Sequence, residues 1–333
     1  MLAATATVAE AQAPAIVRDE FIFAQPPFAS AHASTIAETP NGLVAAWFAG
    51  AFEGSSDVGI WASRHAQGRW TPPVEVATGA QSDGKRFPCW NPVLYQQRGG
   101  PLVLFYKVGP SPREWWGMTK TSSDGGRTWS AAHRLPDGIL GPIKNKPIRL
   151  RDGTVVSPSS TESGDSPPKW RIHFERSTDG GRTWSRVSPA SAPGGRAIDA
   201  IQPTILLVGD SLEALVRSQA GRIFTTWSAD SGKSWSPLGA TSLPNPNAGI
   251  DAVTLRDGRH VLVYNHTTQG RTPLDVAIST DGHTWHRPLA LENEPGEYSY
   301  PAVIQTADGL VHITYTWKRS RIKHVVLDPA KLK

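Results

Sequence analysis

The chain has 333 residues, with 34 Lys and Arg against 29 Asp and Glu, a net charge of +5. The basic residues are scattered rather than gathered into a stripe, which argues against nucleic acid as a partner, and no stretch is apolar and long enough to span a membrane. Cys89 is the only cysteine, so an internal disulfide is excluded, and its apolar strand context reads as a buried structural thiol.

Residues 1–13 are small and largely apolar and end in Ala11-Gln12-Ala13, like the tail of a secretory signal. They lack a positively charged start, and Pro14 is a poor residue after a cleavage point, so residues 1–14 read as a signal remnant or as a disordered leader. A signal would make the protein periplasmic or secreted; without one it stays in the cytoplasm. Residues 15–333 read as one domain.

Thirteen Trp, 31 Gly and 28 Pro accompany runs such as Val103-Leu104-Phe105-Tyr106, Val261-Leu262-Val263-Tyr264 and His312-Ile313-Thr314-Tyr315. Many short strands joined by tight turns follow from that pattern, and no long amphipathic helix does. Six segments repeat one design, a polar residue leading an apolar strand into a Gly-containing turn. They begin at His32, Asn91, Lys146, Gln202, Asp251 and Tyr300, at spacings of 49 to 59 residues. That interval suits a four-stranded sheet per repeat.

A second repeat runs between them. Ser122-Ser123-Asp124-Gly125-Gly126-Arg127-Thr128-Trp129 recurs as Ser177–Trp184, as Ser228–Trp235 and, one residue shorter, as Ser279–Trp285. Asp-Gly closes a tight turn that needs positive φ, Ser and Asp bond the turn's own amides, and the Trp plugs the hairpin against its neighbour. Ser63–Trp70 reads as a decayed copy in the first repeat, and the sixth repeat has none. After Tyr300 there is room for about three strands, so Ile16 to Ala24 is expected to supply the outer strand and close a ring.

These octets resemble the Asp-box, or BNR repeat, of sialidases. The resemblance implies an all-β, six-bladed β-propeller with four-stranded antiparallel blades, in which the boxes are folding elements remote from the active site. A propeller brings the inner-strand starts to one channel mouth, so His32, Asn91, Lys146, Gln202, Asp251 and Tyr300 should converge there. Lys146 and Asp251 could instead form an ion pair within the channel. Trp115 and Trp116, on a neighbouring loop, could stack on a sugar or pack a blade.

The resemblance also suggests roles. Sialidases grip the sugar carboxylate with three arginines, use a tyrosine nucleophile paired with a glutamate, and carry an aspartate acid on a first-blade loop. Arg217 and Arg271 match the second and third arginines, Tyr300 the tyrosine with Tyr298 as the lesser candidate, and Asp57 the acid, with Glu53 as its substitute. The first arginine falls on His32 and the glutamate on Gln202, and a neutral amide cannot do a carboxylate's proton work.

The leading expectation is therefore a sialidase-like exo-glycosidase acting on a terminal acidic sugar of an oligosaccharide or glycan. One alternative is a polysaccharide lyase that cleaves a uronate linkage, such as rhamnosyl-glucuronate, by β-elimination, with His32 or Tyr300 moving the proton. The other is a non-catalytic glycan-binding propeller. No metal-ligand spacing, phosphate loop or Gly-x-Ser-x-Gly elbow is present, so no cofactor is expected.

Overall fold

A computed structural model describes residues 15–192, 194–195 and 197–332; the expected leader, residues 1–14, lies outside the described residues. Six antiparallel sheets make the six blades of a β-propeller. Their innermost strands are Ser30–Thr39, Cys89–Gln96, Ile148–Arg149, Ala200–Val208, Asp251–Thr254 and Tyr298–Gln305. Each blade then steps outward through consecutive hairpins, and the first carries an additional outer strand, Val74–Ala77. Among the described residues the one helical turn is Pro329–Lys331, and no helix is long and apolar enough to cross a membrane.

Ring closure follows the expected route over a shorter span. Ile16–Phe21 pairs antiparallel with Arg321–Leu327 and so completes the sixth blade with the beginning of the chain. The apolar cores lie between blades. Val44 and Ile60 of the first blade pack with Leu94, Leu104 and Tyr106 of the second, and Val261 and Val276 of the fifth pack with Val303 and Ile313 of the sixth.

The Asp-boxes are docking devices for this packing. In the second blade the Ser122 hydroxyl donates to Asp124 Oδ1 at 2.8 Å, while Gly126 N–H donates to Ser122 Oγ at 2.8 Å and Thr128 N–H to Asp124 Oδ1 at 2.9 Å. Hydrogen bonds from Thr128 hold the Asp124 carboxyl far below the usual carboxylate range. The closed turn leans on the preceding blade. Trp235, in the fourth-blade box, stacks on Phe174 of the third blade at 3.7 Å and 10°. In the decayed copy Trp70 does the corresponding job at the ring seam, donating its indole N–H to Glu20 of the closing strand at 3.1 Å.

Both the boxes and the turns between the two innermost strands of each blade lie on the face opposite the inner-strand starts. What remains at the other face is the channel mouth, ringed by the loops that lead into each inner strand and by the hairpins between second and third strands. Arg217, at the end of a second strand, and Tyr300, at the beginning of an inner one, both face that side.

Candidate active site at the channel mouth

Four inner strands are interrupted near their beginning by a register shift, at His32/Thr35, Trp90/Val93, Ile201/Thr204 and Ser299/Ala302. Such a bulge places an extra residue in one strand and re-aims its side chain. At each shift a non-glycine residue takes positive φ: Ala33 at 56°, Asn91 at 40°, Gln202 at 57° and Tyr300 at 52°. A bulky residue in this region is strained by about 1–3 kcal/mol, and such strain gathers at functional sites. The third blade has its positive φ at Lys144, 69°, two residues before the Lys146 expected from the X-Pro pattern.

The strain at Gln202 and Tyr300 creates a polar cluster. Tyr300 Oη accepts from Arg217 Nη1 at 3.0 Å and from Gln202 Nε2 at 3.4 Å. The same Arg217 nitrogen donates to Gln202 Oε1 at 3.1 Å, and Arg217 Nε donates to Asn247 Oδ1 at 3.0 Å. The guanidinium lies 5.5 Å from the centre of the Trp170 ring, so one side is packed and three bonds fix its plane.

Arg271 approaches from the fifth blade, with its guanidinium carbon 6.0 Å from the centre of the Tyr300 ring. Its backbone is anchored, since its carbonyl accepts from Tyr298 N–H and from Asn265 Nδ2. Its Nη1 is buried and has no hydrogen-bond partner among the described residues. An unbonded buried donor on a charged group is costly, so this nitrogen marks a place where an acceptor belongs.

His32 completes the inner cluster. Its ring is tilted by 52° against Tyr300 with centroids 4.2 Å apart, and Nδ1 lies 3.1 Å from Thr316 Oγ1. Burial, and after it the charges of Arg319, Arg271, Arg217 and Lys144, hold its pKa well below the ordinary histidine value. The neutral form of the imidazole is therefore favoured. A neutral ring can accept a proton, at a cost that the surrounding positive charges raise.

The other expected residues divide. Lys146 and Asp251 pair with each other at 3.0 Å, and Asp251 also accepts from Thr204 Oγ1 at 2.7 Å and Val303 N–H at 2.8 Å. They form the channel ion pair that the sequence offered as the alternative, with no bond to Tyr300 or either arginine. Asn91 sits at its own bulge, buried, without a bond to the cluster. Tyr298 turns away into the core between the fifth and sixth blades.

Trp115 and Trp116 separate cleanly. Trp115 meets the edge of Trp90 at 6.2 Å, at the end of an aromatic series running outward from His32 through Phe48 and Trp90. Trp116 packs against Phe87 and lies under Arg134 in the body of the second blade, the blade-packing alternative. Asp57 is exposed, accepts from Ala51 N–H at 2.9 Å and is held below its ordinary pKa first by a hydrogen bond from Ser55. Its carboxyl is committed to its own loop, not joined to the cluster.

Sequence reasoning missed three participants. Arg319, on the hairpin after Trp317, bonds Glu297 at 2.7 Å through Nε and Glu53 through Nη1, and its carbonyl accepts from Ala31 N–H. It brings a third guanidinium beside His32, and the basic run Lys318-Arg319-Ser320-Arg321 on a mouth-side turn was the available signal. Trp170 and Glu162 face each other across the third-blade hairpin. Burial raises the Glu162 carboxyl above its ordinary pKa while the charge of Arg217 opposes that shift. Among the described residues no group of three His, Cys, Asp or Glu side chains is disposed to hold a metal ion.

Comparison with known proteins agrees with this fold. Residues 41–313 match the BNR repeat-like domain. A sialidase of Bacteroides fragilis (strain YCH46) is 24% identical over 231 residues, covering 64% of this chain and 41% of that protein; the match thus spans well under half the length of this relative. A crystal structure of a protein of unknown function from Dyadobacter fermentans superposes with a TM-score of 0.77 at 18% identity, covering 94% of this chain and 98% of that one. A Hadza microbial sialidase gives 0.76 at 19% identity over 91% and 66%. The intramolecular trans-sialidase of Ruminococcus gnavus, solved with oseltamivir carboxylate, gives 0.71 at 14% over 97% and 99%. The chain belongs to the BNR repeat-like domain family and has the six-bladed propeller of the sialidase superfamily.

Proposed function

We propose that this chain is an enzyme that removes a terminal carboxylate-bearing sugar from a glycan, as a sialidase-like exo-glycosidase working at the channel mouth. The observation that carries this reading is the Tyr300 hydroxyl held at 3.0 Å by Arg217, with the unbonded Nη1 of Arg271 beside the same ring. Guanidinium groups suit a planar carboxylate, and two of them beside one phenol would set a sugar's anomeric carbon near its oxygen.

In this reading Tyr300 Oη attacks the anomeric carbon as the glycosidic C–O bond breaks, the Arg217 and Gln202 donors steady the charge passing through that oxygen, and water then displaces the tyrosine and frees the sugar. Among the described residues no carboxylate bonds Tyr300, and His32, whose ring packs against it, is the base of this reading. Glu162, kept high by burial, is a better proton donor to the leaving oxygen than Asp57, which its loop keeps low.

One observation favours a second reading, a uronate lyase. Gln202 occupies the place where a proton-accepting carboxylate would serve a tyrosine nucleophile, while His32 is held neutral against Tyr300. In β-elimination the arginines would offset the uronate carboxylate, His32 would take the proton from the adjacent carbon, and Tyr300 would protonate the departing oxygen.

The test is incubation of the purified protein with sialosides, glucuronides and rhamnosyl-glucuronate oligosaccharides, following released sugar and ultraviolet absorbance together. Release without new absorbance is the expected result. Release with the absorbance of an unsaturated uronate would replace hydrolysis by elimination, and binding without turnover on the whole panel would make the chain a glycan-binding propeller.

A further inference from the structure

Lys144 is fully buried at the channel axis, and its Nζ bonds three oxygens: Asn145 Oδ1 at 2.8 Å, the carbonyl of Ile250 at 2.6 Å and the carbonyl of Pro301. Those oxygens belong to the third-, fifth- and sixth-blade strands or the loops leading into them. Next to it, Asn145 Nδ2 donates to the carbonyls of Gln202 and Pro203 at 3.0 Å each, which adds the fourth blade. Two adjacent side chains from one strained turn therefore hold the backbone immediately after both bulged residues of the cluster, Gln202 and Tyr300. Gly249 lies beside the side chains of both Lys144 and Tyr300. A methyl group on Gly249 would meet both Lys144 Cε and the Tyr300 ring at 3.3 Å.

We propose that Lys144 is the positioning residue of the site: its ammonium clamps the Pro301 carbonyl and thereby fixes the strained Tyr300 backbone so that the phenol meets Arg217. This inference rests on the reading of Tyr300 as the reacting group. Three oxygen acceptors match the three N–H bonds of the ammonium form, whereas a neutral amine has only two. The clamp is complete only while Lys144 is charged. The charged or titratable groups around it are Asp251, which favours the ammonium, Lys146 and Arg217, which oppose it, and His32 and Tyr300 beyond the backbone it holds. Burial brings its pKa down to about 7, so the clamp is released within the working range of an enzyme.

The experiment compares the parent protein with Lys144→Met, using the 4-methylumbelliferyl glycoside of N-acetylneuraminic acid as probe and 13C-labelled tyrosine for NMR. In the parent, kcat is expected to fall above a midpoint near 7 with KM changed less than threefold, and the Tyr300 ring resonances to move with the same midpoint. In Lys144→Met the pH-dependent limb disappears and kcat is at least tenfold lower at pH 6, again with KM little changed. A variant with kcat within twofold of the parent and the same pH profile would overturn the proposal, as would Tyr300 resonances that stay fixed from pH 5.5 to 9. Should the variant not fold, the parent's Tyr300 titration decides alone. Should the parent not turn the probe over, the hydrolase reading of this site fails on that substrate, while the NMR titration still decides the clamp.

Discussion

The hydroxyl of Tyr300 and Nη1 of Arg217 lie 3.0 Å apart although 83 positions separate them in the chain. The bond spans the fourth and sixth blades, and it exists because both inner strands bulge at the mouth. Removing the hydroxyl removes the reacting oxygen but leaves the guanidinium pair intact. Tyr300→Phe is therefore expected to lower kcat by roughly a thousandfold or more while the affinity for an acidic monosaccharide stays within about threefold, as expected for a group used only in reaction. Steady-state kinetics with equilibrium titration check both halves.

Arg271→Met tests the carboxylate grip. Loss of a charge-assisted hydrogen bond costs about 1.5–3 kcal/mol, which corresponds to roughly 10- to 150-fold weaker binding of the acidic sugar. Binding of the corresponding neutral sugar amide should change far less. Equal losses for both ligands would place the arginine in the fold, not in the grip.

Gln202→Glu separates the two chemistries. If Tyr300 is a nucleophile, a carboxylate beside its oxygen supplies the missing proton acceptor, and hydrolytic kcat is expected to rise. If His32 is the base of an elimination, a new negative charge between Arg217 and Tyr300 weakens the grip on the uronate, and turnover is expected to fall. Product analysis of this one variant decides the direction.

Glu213 gives the fold a pH dependence that is independent of the site. It is buried against the fifth-blade box, with one oxygen accepting from Thr225 at 2.8 Å and the other unbonded beside Gly282. Burial pushes its pKa from 4.5 up to about 7. The folded state thus holds this proton more tightly than the unfolded chain. Its contribution to stability is fully present below about 4.5 and is lost as pH rises through about 7, a difference of about 3 kcal/mol at most. Glu213→Gln is expected to flatten that slope and to melt higher than the parent at pH 8, which calorimetry at pH 5 and pH 8 measures.

Trp235→Ala removes the ring stacked on Phe174 and is expected to cost about 3–5 kcal/mol of stability without altering affinity for an acidic sugar. Thermal melts and ligand titration on the same variant read the two effects.

Much of this architecture was legible because it is periodic. The boxes, with Ser122, Asp124 and Trp129 as the pattern, need the same atoms each time to close the same turn, so the sequence repeats them. The ring closure could be read from strand arithmetic, and Tyr300, Gln202, Arg217, Arg271 and His32 do meet at one mouth. What failed was local. Lys146 was aligned to the axis by its following proline, yet the positive φ of the third blade falls at Lys144, and Lys adopts it here without a sequence mark. The surroundings of Trp116 and Asp57 were not legible for a related reason: a residue near the mouth can face the blade or its own turn, and only packing decides. Arg319 is marked in the sequence only by the basic run Lys318-Arg319-Ser320-Arg321, and packing alone sets its nearness to Glu53, Glu297 and the His32 strand.

The most direct test of the central claim is a crystal structure of Tyr300→Phe with N-acetylneuraminic acid at saturating concentration. The account predicts the sugar at the channel mouth, its carboxylate within hydrogen-bond distance of Arg271 Nη1 and of the Arg217 guanidinium, and its anomeric carbon over the position of the lost hydroxyl. A carboxylate bound elsewhere on the protein, or a mouth left without sugar at saturation, would contradict it.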